Sequence, residues 1–89
     1  MPYIPKPKRP KLDFIAKNLV AELKEKGLAG NLNYFLFKLF VELQKENLIY
    51  NYQTMASFIA ELECCKMELY IRPIYNYEVK KRSQNGDVE

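Results

Sequence analysis

The chain has 89 residues and a mass of 10.6 kDa, a length that predicts one small domain and excludes two. Hydrophobic residues make up 48% and charged residues 28%, with 3 Gly and 5 Pro, so collagen-like, low-complexity and wholly disordered chains are excluded. The net charge is +3 and His is absent, which excludes zinc hydrolases and nucleophile systems that depend on His.

Residues 1–10 hold four of the five prolines and predict an extended or polyproline-like arm. The basic side chains of this arm are Lys6, Lys8 and Arg9. Two interpretations stay open: contact with an acidic partner, or a solvated tail. A nucleic-acid-binding domain normally has a basic face, whereas the excess of positive over negative charge here is local to the arm, so we do not expect nucleic-acid binding.

Apolar residues at helical spacing predict a first helix over 11–26, ended by Gly27. A second helix over 30–46 is apolar on most of its circumference, with Asn31 as the expected N-cap. We expect this helix to be central or to form a dimer interface, with Leu36, Leu39 and Phe40 fully buried. The predicted oligomer interface consists of Phe37, Phe40 and Val41.

A third helix is predicted over 52–72, and Pro73 should break or kink it because proline lacks an N–H. A shorter helix should follow Pro73, and residues 83–89 should be a flexible tail. The predicted fold class is therefore all-α: a small bundle of three main helices plus a short C-terminal helix, with 11–82 as a single helical domain. The apolar stripe of the third helix is Met55, Phe58, Ile59, Leu62, Cys65 and Leu69.

Cys64 and Cys65 are adjacent, so they suit neither a disulfide with each other nor a metal pair, and we expect two free thiols. Free thiols and an N-terminus with no apolar signal-like run predict a cytoplasmic protein, and no apolar run is long enough to span a membrane.

Carboxylates, tyrosines and one arginine are the candidates for polar chemistry. Glu61, Glu63 and Glu68 together with Glu42 are more typical of solvated helix faces than of a metal site, so no metal or cofactor is predicted. Tyrosines around Pro73, with Arg72, either bind a nucleotide or peptide or seal helix packing and a dimer seam.

Several short pieces occur together in order along the chain: MPYI at the start, GNLNY at 30–34, LE at 62–63, ELYIRP at 68–73, YE at 77–78 and NGDV at 85–88. In this the sequence resembles a family of small uncharacterised proteins of phages and prophages, which has no assigned activity. The resemblance marks Asn33, Tyr34, Glu63, Glu68, Tyr70, Arg72, Tyr77 and Glu78 as signature positions. The chain departs from the family at Ala60 and Ile71, where a glycine and a second arginine are expected, which argues against a site of paired arginines.

We expect a non-enzymatic helical protein that self-associates, with a dimer favoured, and binds a macromolecular partner. The alternative is a protein that binds or sequesters a nucleotide-type ligand at the Arg72, Tyr75 and Tyr77 region. An enzyme is the least expected class, because no pair of groups is committed to acid–base work. The residues predicted to bind a ligand or partner are Asn33, Tyr34, Glu68, Tyr70, Arg72, Tyr75 and Tyr77.

Overall fold

The computed structural model describes residues 3–88, and within that range the chain is helical with no strand. The predicted all-α class is confirmed, as are three main helices and a further helix after Pro73. The elements in order are a 3-10 turn at Lys6–Lys8, α1 at Pro10–Lys26, α2 at Asn31–Lys45, α3 at Tyr52–Leu69, a π-helical turn at Tyr70–Ile74 and α4 at Tyr75–Asn85.

The basic arm is not extended throughout. Lys6–Lys8 form a 3-10 turn, in which the Lys8 N–H donates to the Pro5 carbonyl at 2.9 Å. Helix α1 then begins at Pro10 itself. The expectation of an extended arm was wrong here because the fixed φ of proline suits the first turn of a helix, where its missing N–H costs no hydrogen bond.

A tight turn joins α1 to α2. Gly27 and Gly30 have φ of +94° and +80°, a conformation that glycine adopts without the steric cost of a Cβ. Gly27 ends α1 as predicted, but Gly30 takes the N-cap position of α2 that the sequence assigned to Asn31. The Asn31 side chain points back instead, and its Nδ2 donates to the carbonyls of Lys26 and Gly27 at 3.0 Å each.

The connection from α2 to α3 contains the most buried side chain. Within residues 3–88, Ile49 is the one buried hydrophobic residue, at 6% exposed. Helix α3 begins with a reciprocal cap, because the Thr54 N–H donates to Asn51 Oδ1 at 2.9 Å and the Asn51 N–H donates to Thr54 Oγ1 at 3.0 Å.

Helix α3 continues into α4 through the π turn, so Pro73 does not end the helical run. Leu69, Ile74 and Tyr75 all keep right-handed helical dihedrals, and the Tyr75 N–H donates to the Tyr70 carbonyl five residues back. A widened turn accommodates the proline ring and its missing N–H without breaking the helix. The tail is also shorter than predicted, because α4 reaches Asn85 before Gly86.

Contacts divide the chain within α3 into two compact units, one ending at Phe58 and one beginning at Ile59. In the first unit the Phe40 ring packs edge-on against the Phe58 ring, with 5.3 Å between centroids. Leu36 and Phe40 are half-buried and Leu39 is 39% exposed, so the prediction of full burial was wrong. Two helices and the start of a third supply too few side chains to surround α2.

The second unit is one run of helix: the end of α3, the π turn and α4. The extent of a single helical domain over 11–82 stays a prediction. Among residues 3–88, no helix has both the length and the apolar character that crossing a membrane requires.

Candidate interaction surfaces

The outer side of α2 carries a row of apolar side chains, Tyr34, Phe37 and Val41, which we call the α2 stripe. Spacings of three and four residues place them on one side of the helix. Tyr34 and Phe37 are 69% and 70% exposed, and Val41 is half-buried. Of the three predicted interface residues, Phe40 turns to Phe58 and lies outside this stripe. Exposed aromatic rings of this kind are typical of protein-binding surfaces.

Charged side chains lie close to the α2 stripe. Lys38 Nζ and Lys45 Nζ lie 3.2 Å and 3.3 Å from Glu42 Oε1. Hydrogen bonds from Lys38 and then Lys45 hold the pKa of the Glu42 carboxyl below its ordinary value. Glu42 is therefore held by two lysines on its own helix.

A groove of about 380 Å³ opens between α1 and α2. Ile15, Leu19 and Leu23 line it from α1, and Tyr34 and Phe35 line it from α2. Glu22 and Lys26 also line it, and they form an ion pair at 3.1 Å. The apolar lining of the groove suits an apolar side chain, and the Glu22–Lys26 pair adds charge to the lining. It adjoins the α2 stripe through Tyr34, which belongs to both.

Five of the predicted binding residues lie in the second unit, on or beside the π turn. Tyr70 and Arg72 belong to the turn, Glu68 precedes it and is half-buried, and Tyr75 and Tyr77 follow it on α4. The Lys81 ammonium lies 5.6 Å from the centre of the Tyr77 ring, within cation–π range. Asn33 and Tyr34 lie on α2 in the first unit.

A concavity of about 370 Å³ lies at the end of α4, and sequence analysis missed it. Tyr75, Glu78 and Arg82 line it from the helix, and Asp87 lines it from beyond Gly86. The Arg82 Nε lies 3.9 Å from Asp87 Oδ2, a weak, exposed pair. The Asn-Gly turn signal at 85–86 was the one feature of the sequence that indicated a chain reversal here.

The basic arm divides into two kinds of side chain. Lys6 and Lys8 are exposed, whereas Arg9 is half-buried and its Nε donates to the Ile4 carbonyl at 2.7 Å. Arg9 therefore holds the arm to its own backbone, and the two lysines carry the exposed charge.

Both cysteines are free and exposed, as the sequence predicted for their pairing state. Among residues 3–88, no group of three or more potential ligands from His, Cys, Asp and Glu is arranged to hold a metal ion.

Fold and surfaces together define a small all-α protein with exposed apolar helix faces. The chain belongs to a family described as a domain of unknown function, DUF6899, whose model matches residues 1–88. This confirms the resemblance to an uncharacterised family. No curated protein and no solved structure matches the chain.

Proposed function

We propose that this chain is a non-enzymatic helical protein that self-associates and binds a protein partner. The observation that carries this proposal is the exposure of large apolar side chains on every main helix, whereas Ile49 is the one buried hydrophobic residue in the described chain. Contiguous exposed apolar surface is typical of protein–protein interaction sites. The proposed non-enzymatic role is supported by a composition without His.

The oligomeric state tests the first half of the proposal. Sedimentation equilibrium at micromolar concentration should give twice the monomer mass of 10.6 kDa. A strict monomer throughout the micromolar range would contradict self-association.

The α2 stripe is the proposed surface for the protein partner, because Tyr34 and Phe37 combine large exposed rings with a rigid helical backbone. The test compares the proteins of a host-cell extract retained by the immobilised chain and by a Tyr34→Ser, Phe37→Ser variant. Specific proteins should be lost with the variant. Retention of the same set by both chains would contradict the assignment of the stripe.

A nucleotide-type ligand at Arg72, Tyr75 and Tyr77 is the second candidate function. The π turn favours it, because π turns inside helices frequently accompany functional sites. A mono-, di- or cyclic nucleotide that binds there should raise the melting temperature of the parent and not that of Arg72→Ala. Thermal-shift measurements check this. No shift with any nucleotide would contradict this candidate.

Two further proposals concern origin and location. The family resemblance supports a phage or prophage origin. The exposed free thiols of Cys64 and Cys65 support a reducing compartment, the cytoplasm. Localisation of a tagged chain in cell fractions tests the second of these.

A further inference from the structure

Helix α3 carries a narrow apolar row in the second unit, formed by Leu62, Cys65 and Leu69, which we call the α3 seam. The spacings of three and four residues are those of alternating core positions in a coiled coil. Leu62 and Leu69 are 36% and 53% exposed, and Cys65 is exposed. Because residues 59–85 form a single run of helix, no second helix in the described part of this unit covers the seam.

The charges beside the seam indicate what covers it. Glu61 and Lys66 lie on opposite sides of the seam and five residues apart, at the two flanking positions of a coiled coil. In a parallel pair of identical helices, Glu61 of one chain lies beside Lys66 of the other, twice by symmetry. An antiparallel pair would bring like charges together at these positions.

Lys66 is available for such a contact. Its Nζ lies 3.5 Å from Glu63 Oε1 on the same helix, and both side chains are largely exposed. An exposed ion pair of this length contributes little free energy to stability. Lys66 can therefore leave Glu63 and pair with Glu61 of a second chain at little cost in free energy.

We propose that the α3 seam packs in parallel against the same seam of a second copy of this chain. The inference rests on the proposed self-association and assigns it an orientation and a face on α3. This face replaces the α2 interface of Phe37, Phe40 and Val41 that the sequence predicts. The contact places the two Cys65 thiols opposite one another in one layer. Cys64 lies about 100° around the helix, outside the seam, so the two Cys64 thiols stay apart.

Two single-cysteine chains test the seam, because each is the matched control of the other. Cys64→Ser retains Cys65, and Cys65→Ser retains Cys64. Diamide added to each takes two protons and two electrons from a pair of thiols, which leaves one S–S bond and the reduced hydrazine.

At low micromolar concentration, Cys64→Ser should form a covalent dimer about tenfold faster than Cys65→Ser, because the seam holds the two Cys65 thiols opposite one another. In denaturant both chains should react at the same slow rate. Equal rates for the folded chains, or faster coupling through Cys64, would overturn the seam.

Charge reversal tests the parallel orientation without removing apolar side chains. Glu61→Lys and Lys66→Glu should each weaken the dimer roughly tenfold, since two attractive pairs become repulsive, and the double variant should restore it. Glu63→Lys is the control, a similar charge change outside the flanking positions, and should have a smaller effect. Failure of the double variant to restore the dimer would overturn the parallel contact.

A third measurement separates the seam from self-association in general. A Leu62→Ser, Leu69→Ser variant should sediment as a monomer with its helical circular dichroism retained, whereas Phe37→Ser should remain a dimer. A parent dimer that persists in the leucine variant leaves self-association standing and overturns the seam. A monomeric parent overturns both.

Discussion

Asn31 and Asn51 are the same residue type but satisfy opposite kinds of helix end, the C-terminus of α1 and the N-terminus of α3. The Asn31 amide donates to carbonyls that end α1, whereas the Asn51 side chain accepts from the N–H of Thr54 at the start of α3. Helix ends leave four N–H or C=O groups without intrahelical partners, and each Asn satisfies some of them. The difference between the two arises from the positive φ of Gly30, which takes the N-cap position beside Asn31.

Replacing Asn51 with Ala should lower the free energy of unfolding by about 1 kcal/mol, because the Thr54 N–H loses its acceptor. Asn51→Asp retains an acceptor and should stay close to the parent. Gln53→Ala, in the same first turn, is the control and should have little effect. Urea unfolding of the three variants measures these differences, and equal stability of Asn51→Ala and the parent would contradict the role of the cap.

The lowered pKa of Glu42 predicts a small dependence of stability on pH. Since Lys38 and Lys45 favour the folded carboxylate, the contribution is present above the unfolded pKa and is lost as pH falls through the lower, folded pKa. The Glu42 carboxyl, followed by carbon-13 NMR, should have a pKa below its ordinary value in the parent and closer to that value in Lys38→Gln. A titration unchanged by Lys38→Gln would contradict the assigned cause.

At the scale of helices, the π turn explains how the helical run continues past Pro73. Proline in an α-helix interior removes one hydrogen bond and its ring meets the carbonyl four residues back. The widened turn moves that carbonyl away, and the bond from Tyr75 to Tyr70 resumes the ladder with one extra residue. The extra residue changes the faces on which Tyr75 and Tyr77 lie relative to Glu68.

Phe37 and Phe40 on the same helix should respond differently to truncation. Phe40→Ala removes the edge contact with Phe58 and should cost about 2 kcal/mol, below the 3–5 kcal/mol of a fully buried Phe because the ring is half-buried. Phe37→Ala should leave the melting temperature nearly unchanged, since its ring is 70% exposed. Thermal melts of both variants are the measurement, and the reverse order would contradict the assigned faces of α2.

For the whole molecule, the dominant feature is apolar surface without internal cover. Tyr34 and Phe37 are exposed in the first unit, and Leu69 and Tyr70 are exposed in the second. Helices gain most of their stability from packing an apolar face, and this exposed surface supports the proposed self-association.

Association of this kind predicts a melting temperature that depends on concentration. Because a dimer is favoured by mass action, dilution from about 100 to 1 micromolar should lower the melting temperature by several degrees. Scanning calorimetry and circular dichroism cover the two ends of that range. A melting temperature independent of concentration would contradict coupling between folding and self-association.

The sequence predicted the helix positions and most helix ends, because these depend on the spacing of apolar residues and on glycines within a few neighbouring positions. Gly27 ended α1 where the sequence predicted, and helical spacing placed α2 and α3 within a few residues. The fold class depended on the same local signals and was correct.

Tertiary structure alone decided which apolar faces are covered and what the special residues do. Full burial of Leu39 was inferred from the apolar circumference of α2, but burial depends on how many neighbouring side chains the chain supplies. A break or kink was inferred from Pro73, but the effect of a proline depends on whether the helical turn around it can widen. The sequence likewise placed the candidate site residues along the chain, and the structure showed that Tyr70 and Arg72 lie in a π turn. Periodicity identifies an apolar face, whereas the arrangement of the other helices determines whether that face is core or binding surface.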